Sequence, residues 1–235
     1  MAADTSDTSK YKILVIPADE EGCRFYLEQY KPFRLASLQQ DAQAFGSTYA
    51  REIAFDEETW LGRIKNPLAT TFVAVQADNN QVVASTSLIG PLPNTSPASN
   101  PYQIVSGGMT QGNTASNSNN RANNNNNNSN NNDAGDEPLY FQMSAVYTSP
   151  AARGRGLAKS LIKAATEEAC NRARAQGGRP LALSVVVFAE NSAAISVYER
   201  CGFARNLEEE PKVVFNEFKN SSQRQLNMYY QGGTS

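Results

Sequence analysis

At 235 residues the chain is long enough to bury a proper core, and its formal net charge of −2 gives no global electrostatic case for nucleic acid as a partner. It has no histidine, and its three cysteines, Cys23, Cys170 and Cys201, fall without paired spacing, so a metal site of the zinc kind and a Ser-His or Cys-His nucleophile are practically excluded. The N-terminus lacks a basic flank followed by an apolar run, and nowhere do eighteen apolar residues follow one another. The expectation is therefore a soluble, cytoplasmic protein, with the nucleus also open to it and no membrane partner.

Residues 1–10 are polar and read as a flexible tail, ahead of a single domain over 11–235. Tyr11 to Ile16 is a short strand ended by Pro17 and Asp19. A helical region follows, with Leu35, Leu38, Ala42 and Phe45 on one face and an end near Gly46. Asp56 is placed to cap a second helix, with Phe55 and Trp60 as the apolar pair that brackets its first turn. Thr71 to Gln76 and Val82 to Ile89 are two β segments joined by a polar turn.

From Pro91 to Glu137 the composition changes to Pro, Ser, Gly and Asn, with long asparagine runs after Arg121. So few apolar groups cannot offset the entropy of ordering the backbone, and disorder is expected. The flanking halves do not each supply a complete sheet, so the tract reads as an insertion in one loop rather than a linker between domains. Loop closure costs only logarithmically more with length, which lets a fold tolerate it.

Leu139 to Ala173 is the most informative stretch. An apolar strand ending Val146-Tyr147-Thr148 leads through Ser149-Pro150 and Arg153-Gly154-Arg155-Gly156 into a helix with Leu157, Leu161, Ala165 and Ala169 at i, i+4 spacing. Helix starts carry unpaired N–H groups and the positive end of the helix dipole. With Arg153, Arg155 and Lys159 added, a small anion such as a diphosphate belongs at this turn. It is not a P-loop, which would need glycines where Ala158 and Arg153 stand, nor a dinucleotide fingerprint, which would need a third glycine at Lys159.

Beyond it, Gly177-Gly178 stops the helix and Leu181 to Phe188 is a continuous apolar strand. Asn191 to Cys201 is the next helix, ended by Gly202-Phe203. Val213 to Phe218 and Gln225 to Tyr230 form the last antiparallel pair, with the turn at 220–224; that pair could also meet a second copy in a homodimer.

Arg153-x-x-Gly156-x-Ala158 after a strand resembles the acyl-CoA pyrophosphate loop of the GNAT superfamily of N-acyltransferases. Asn191-Ser-Ala-Ala194-Ile195-Ser-Val-Tyr198-Glu-Arg-Cys-Gly202-Phe203 resembles that family's downstream motif, at the separation of one helix and one strand. The resemblance covers the chain apart from the tail and the insertion. It implies an α/β fold with a mixed sheet in the order β-α-α-β-β-β-α-β-α-β-β, whose two central parallel strands splay apart, and an acetyltransferase using acetyl-CoA as co-substrate.

By the same resemblance, Val146, Tyr147 and Thr148 would hold the pantetheine arm through their backbone, with the Val146 N–H as oxyanion donor. The amides of Arg155, Gly156, Ala158 and Lys159 would hold the diphosphate within a loop that includes Gly154 and Leu157, aided by the Arg153 side chain. Asn191 and Ala194 would contact coenzyme A, and Tyr198 would protonate the departing thiolate. Phe45, Tyr49 and Glu52 would line the acceptor site together with Gln142, which stands where some members place a glutamate base. Glu137, Asp136 or Glu52 could substitute for that base, or water could take the proton.

The acceptor implied is a small-molecule amine or a peptide or protein amine. The competing reading is a catalytically weak or inactive CoA-binding module that acts as a sensor or scaffold.

Overall fold

A computed structural model describes residues 10–93, 97, 101–102 and 137–232. The tail at 1–10 and the insertion at 91–137, for which flexibility and disorder are expected, thus lie mostly outside the described residues. Eight strands are present: β1 (Tyr11–Val15), β2 (Ala69–Gln76), β3 (Val82–Leu92), β4 (Leu139–Thr148), β5 (Leu181–Phe188), β6 (Phe203–Arg205), β7 (Lys212–Asn216) and β8 (Ser221–Tyr230). They form one sheet in the order β1-β2-β3-β4-β5-β8-β6, with β7 lying beyond β6 along the same edge of β8. Only β4 and β5 run parallel. The insertion leaves the sheet between β3 and β4, where the expected loop stands.

The two faces of the sheet read directly from side-chain alternation. On β2, Phe72 and Ala74 face the long helix α5 (Leu157–Ala175), while Val73 and Val75 face the opposite layer. Helix α5 buries Leu157, Leu161, Ala165, Ala169 and Ala173, the i, i+4 stripe expected of it, together with Ile162 and Thr166 on the flank. Full burial of a leucine such as Leu161 contributes about 1.5–3 kcal/mol. The chain leaves α5 through Gly177 and Gly178, both at positive φ, and the Gly178 N–H returns to the Arg174 carbonyl.

The other face is covered by α1 (Glu20–Phe25), α2 (Lys31–Gln40), the short α3 (Tyr49–Ile53) and α4 (Glu57–Ile64). Asp56 caps α4 through a 2.8 Å hydrogen bond from the Thr59 N–H, and the Phe55 and Trp60 rings meet edge to face at 5.9 Å, as expected. Between α1 and α2 the chain widens into a π-helical turn, Tyr26–Tyr30, closed by the Lys31 N–H on the Tyr26 carbonyl. Pro32 supplies the reason. It has no N–H for the ordinary ladder and its ring would press on the carbonyl four residues back, so the turn opens by one residue.

Four expectations shift. Helix α2 ends at Gln40 rather than near Gly46, so Ala42 is exposed in a single 3₁₀ turn and only Leu35, Leu38 and Phe45 of its set are buried. Helix α3 and strand β6 are additional elements. The final turn is 217–220, because Ser221 to Arg224 already pair with β7.

Candidate active site

Strands β4 and β5 pair from Leu139↔Leu181 to Met143↔Val185 and no further, although each strand continues. Ser144–Thr148 and Val186–Phe188 therefore diverge, opening a V in the middle of the sheet. The cause is local. Ser144 pairs with Ser87 and Tyr147 with Ser85, so Ala145 and Val146 together oppose the single residue Thr86. Ala145 adopts φ 54° to make this bulge, which turns β4 away from β5.

Helix α6 (Ser192–Arg200) begins at Asn191, whose side-chain carbonyl accepts the Ala194 N–H at 3.1 Å and caps the helix. One turn on, Tyr198 is buried with its ring edge to face on Phe203, 5.7 Å between centroids. Burial, and then the neighbouring Cys201, raises the phenol's pKa, so it keeps its proton throughout the neutral range. A cavity of about 450 Å³ runs through the V, bringing Asn191, Ala194 and Tyr198 together with β4 residues 142–146.

At the strand's end the chain passes a 3₁₀ turn, Pro150–Ala152, and enters α5 through Gly154 and Gly156 at φ 76° and 75°. Both are left-handed conformations that side chains disfavour, and neither glycine has an atom within 4 Å of where a Cβ would stand. No side chain caps α5, so its first amides remain available to an anion. Arg155 and Lys159 are exposed beside them. Arg153 turns the other way: Nη2 pairs with Asp41 Oδ2 at 2.7 Å and Nε donates to the Thr148 carbonyl at 3.1 Å. The Tyr147 hydroxyl donates to the same Asp41 oxygen at 2.7 Å. That bond, with Arg153 beside it, holds the Asp41 carboxyl below its usual range, while burial and the Asp41 charge push Tyr147 up to about 12.

An Acetyltransferase (GNAT) family model matches residues 121–203, a span that includes the V, the glycine turn and α6. Over that span the chain is similar to GNAT acetyltransferases. Solved structures agree on the fold. Arabidopsis thaliana NAA60 in complex with a bisubstrate analogue aligns at 13% identity and TM-score 0.53, over 93% of this chain and 98% of that one. The putative acetyltransferase yncA from Salmonella typhimurium with its cofactor acetyl-CoA aligns at 15% and 0.53, over 94% of each chain. A GNAT-family acetyltransferase from Streptococcus pneumoniae aligns at 14% and 0.50, over 93% and 99%. No curated protein matches the sequence. Among the described residues no helix is long and apolar enough to cross a membrane, and no group of three or more His, Cys, Asp or Glu could hold a metal ion.

Within this GNAT fold the sequence-derived residues separate into groups. Val146, Asn191, Ala194, Tyr198, Phe45, Glu52 and Gln142 all line the cavity. Tyr49 does not; it packs against the cluster of Leu38, Phe45 and Tyr147. Leu157 sends its side chain into the core and has only its amide at the turn. Arg153 binds the end of α2 to the end of β4, and its guanidinium is engaged there.

The acid candidates fare differently as bases. Glu52 is 1% exposed, held by Arg34 through Nε at 3.0 Å and Nη2 at 2.8 Å and by Arg63 Nη1 at 3.3 Å. Burial alone would raise its pKa, but the Arg34 charge and hydrogen bonds, with Arg63, outweigh it and bring it to about 2. A carboxylate so stabilised is a poor base. Glu137 is exposed at the opposite end of β4, nine residues before Val146, or about 30 Å along the strand. Asp136 lies outside the described residues.

Sequence reasoning missed Tyr26, Tyr30 and Arg34, which form one wall of the cavity. Their i, i+4, i+8 spacing was a readable signal. The same helix also carries the apolar face through Leu35 and Leu38, which packs into the core.

Proposed function

We propose that this protein transfers an acetyl group from acetyl-CoA to a primary amine by direct attack within a ternary complex. The observation that carries the reading is the parting of β4 from β5 after Met143 and Val185, which opens a slot for an extended arm between two strands. The glycine turn at 154–156 and the uncapped start of α5 fit the diphosphate at one end of that arm. The cavity fits the reacting end at the other.

The chemistry follows from the walls. A neutral amine adds to the thioester carbonyl, and the Val146 N–H, presented by the bulge, stabilises the oxyanion by about 2–4 kcal/mol. When the tetrahedral adduct collapses, the C–S bond breaks and the thiolate takes the Tyr198 phenolic proton, which burial has kept in place; water then returns a proton to the phenolate. The proton shed by the nitrogen goes to water, since Gln142 accepts none near neutral pH and Glu52 is held ionised by its arginines. Holding both reactants in one slot supplies much of the rate.

Release of free thiol from acetyl-CoA, measured with a panel of amines and peptides, tests the proposal. Calorimetry with coenzyme A runs in parallel. Turnover with any acceptor supports transfer; tight coenzyme A binding without turnover on the whole panel would leave only a CoA-binding module.

A further inference from the structure

The acceptor side of the cavity is lined by three guanidiniums, Arg34, Arg51 and Arg63, and two carboxylates. Of the carboxylates, only Glu52 is buried among them; Glu217 is exposed at the tip of the β7–β8 hairpin. Arg34 spends two donors on Glu52, and Arg63 meets the same carboxylate at a longer 3.3 Å. Arg51 makes no ion pair among the described residues. Its Nη1 reaches the Ser47 hydroxyl at 3.3 Å, and its guanidinium lies over the Phe218 ring at 4.1 Å and the Phe55 ring at 5.2 Å. Even with Glu217 counted, the walls carry an excess of positive charge.

The uncharged groups on this wall are donors too. Tyr26 and Tyr30 are 1% and 4% exposed, stack at 4.6 Å and line the cavity, and among the described residues neither hydroxyl has a hydrogen-bond partner. Burial raises both pKa values, that of Tyr30 to about 12, so the phenols stay protonated. The Ser87 hydroxyl, on the floor, is buried and has no partner among the described residues. Burial and then the Arg63 charge lower the Arg51 pKa, against the opposing pull of Glu52.

We propose, resting on the acetyltransferase reading above, that the acceptor is a small amine that also bears a carboxylate, held by Arg51 and Arg63 while the amine faces Val146. Guanidiniums suit a planar carboxylate, which two parallel N–H donors can grip. A polycation would meet repulsion here and find no unpaired buried acid. Size argues the same way. About 450 Å³ must also take the acyl end of the thioester, and the hairpin straps across the mouth through Asn216 Nδ2 to the Gly46 carbonyl at 2.7 Å and Lys219 Nζ to the Ala42 carbonyl at 2.7 Å. An occupant of amino-acid size fits that space; an extended chain does not.

Matched acceptors decide it: lysine against cadaverine, tyrosine against tyramine, and phosphoethanolamine against ethanolamine, each assayed for thiol release with acetyl-CoA and titrated by calorimetry into protein saturated with coenzyme A. The expected result is at least a tenfold higher kcat/KM for the carboxylated member of a pair that is turned over. Arg51→Gln should remove most of that preference by raising the KM of the carboxylated member far more than that of its decarboxylated partner, and Arg51→Lys should restore part of it. The proposal is overturned if the bare amines do as well, if Arg51→Gln slows both members alike, if phosphoethanolamine surpasses every carboxylate, or if no carboxylated amine binds or reacts. Turnover of bare amines alone sinks the carboxylate pocket and keeps the transferase. Amino-acid binding that Arg51→Gln weakens, without thiol release, keeps the pocket and sinks transfer.

Discussion

Tyr198 and Glu52 illustrate how one physical effect, burial, serves two different ends at the scale of a residue. At Tyr198, desolvation and then the neighbouring Cys201 favour the neutral phenol and keep its proton in place at neutral pH. Tyr198→Phe is expected to lower kcat by roughly a hundredfold or more with little change in coenzyme A affinity, read by steady-state kinetics and calorimetry; an unchanged kcat would remove the phenol from the mechanism. Glu52 is as buried, but its arginines reverse the sign. Its folded pKa of about 2 lies below its ordinary 4.5, so between those values the unfolded chain binds more protons. Its stabilising contribution is complete above pH 4.5 and disappears as the pH falls towards 2. Thermal melts should show that loss in the native protein, whereas Glu52→Gln should begin about 3–5 kcal/mol less stable and be flatter across the same window.

At the scale of elements, the site is held by contacts between pieces far apart in the chain. Asp41, at the end of α2, ties Tyr147 on β4 and Arg153 on the glycine turn. The β7–β8 hairpin crosses to the segment after α2, where Asn216 Nδ2 reaches the Gly46 carbonyl. Removing that donor by Asn216→Ala loosens the hairpin tip, which Lys219 Nζ still ties to the Ala42 carbonyl, without touching the slot between β4 and β5. The acceptor KM should rise several-fold while the coenzyme A affinity stays as it was, a split that kinetics and calorimetry measure together. A parallel loss of coenzyme A affinity would mean that the hairpin supports both halves of the cavity.

Across the whole molecule, the insertion departs from the sheet and yet reaches the site. Leu92 pairs with Tyr140, so the strand ends that it joins are neighbours, and a short turn can replace a long excursion. Yet Pro101 is buried and Tyr102 lines the cavity, with the Arg63 guanidinium 5.4 Å from its ring. Part of the tract therefore belongs to the cavity wall. Deleting 103–136 behind a short linker should preserve the melting temperature and activity, whereas a deletion that also takes Tyr102 should raise the acceptor KM. Equal activity in the two truncations would show that Tyr102 contributes nothing to the site.

Local chemistry was legible without a structure wherever neighbours in the chain decide the outcome. A β-branched, apolar run marked β2, the i, i+4 stripe marked α5, Asp56 with Phe55 and Trp60 marked the start of α4, and paired glycines marked the turn into α5, because each depends on residues within one or two turns of one another. The bulge at Ala145, the pairing of Arg153 with Asp41, the capture of Glu52 by Arg34 and Arg63, and the return of Tyr102 to the cavity depend on groups brought together from distant segments. Charge and burial at a point in space are sums over all that folds around it, and only the tertiary structure performs that sum.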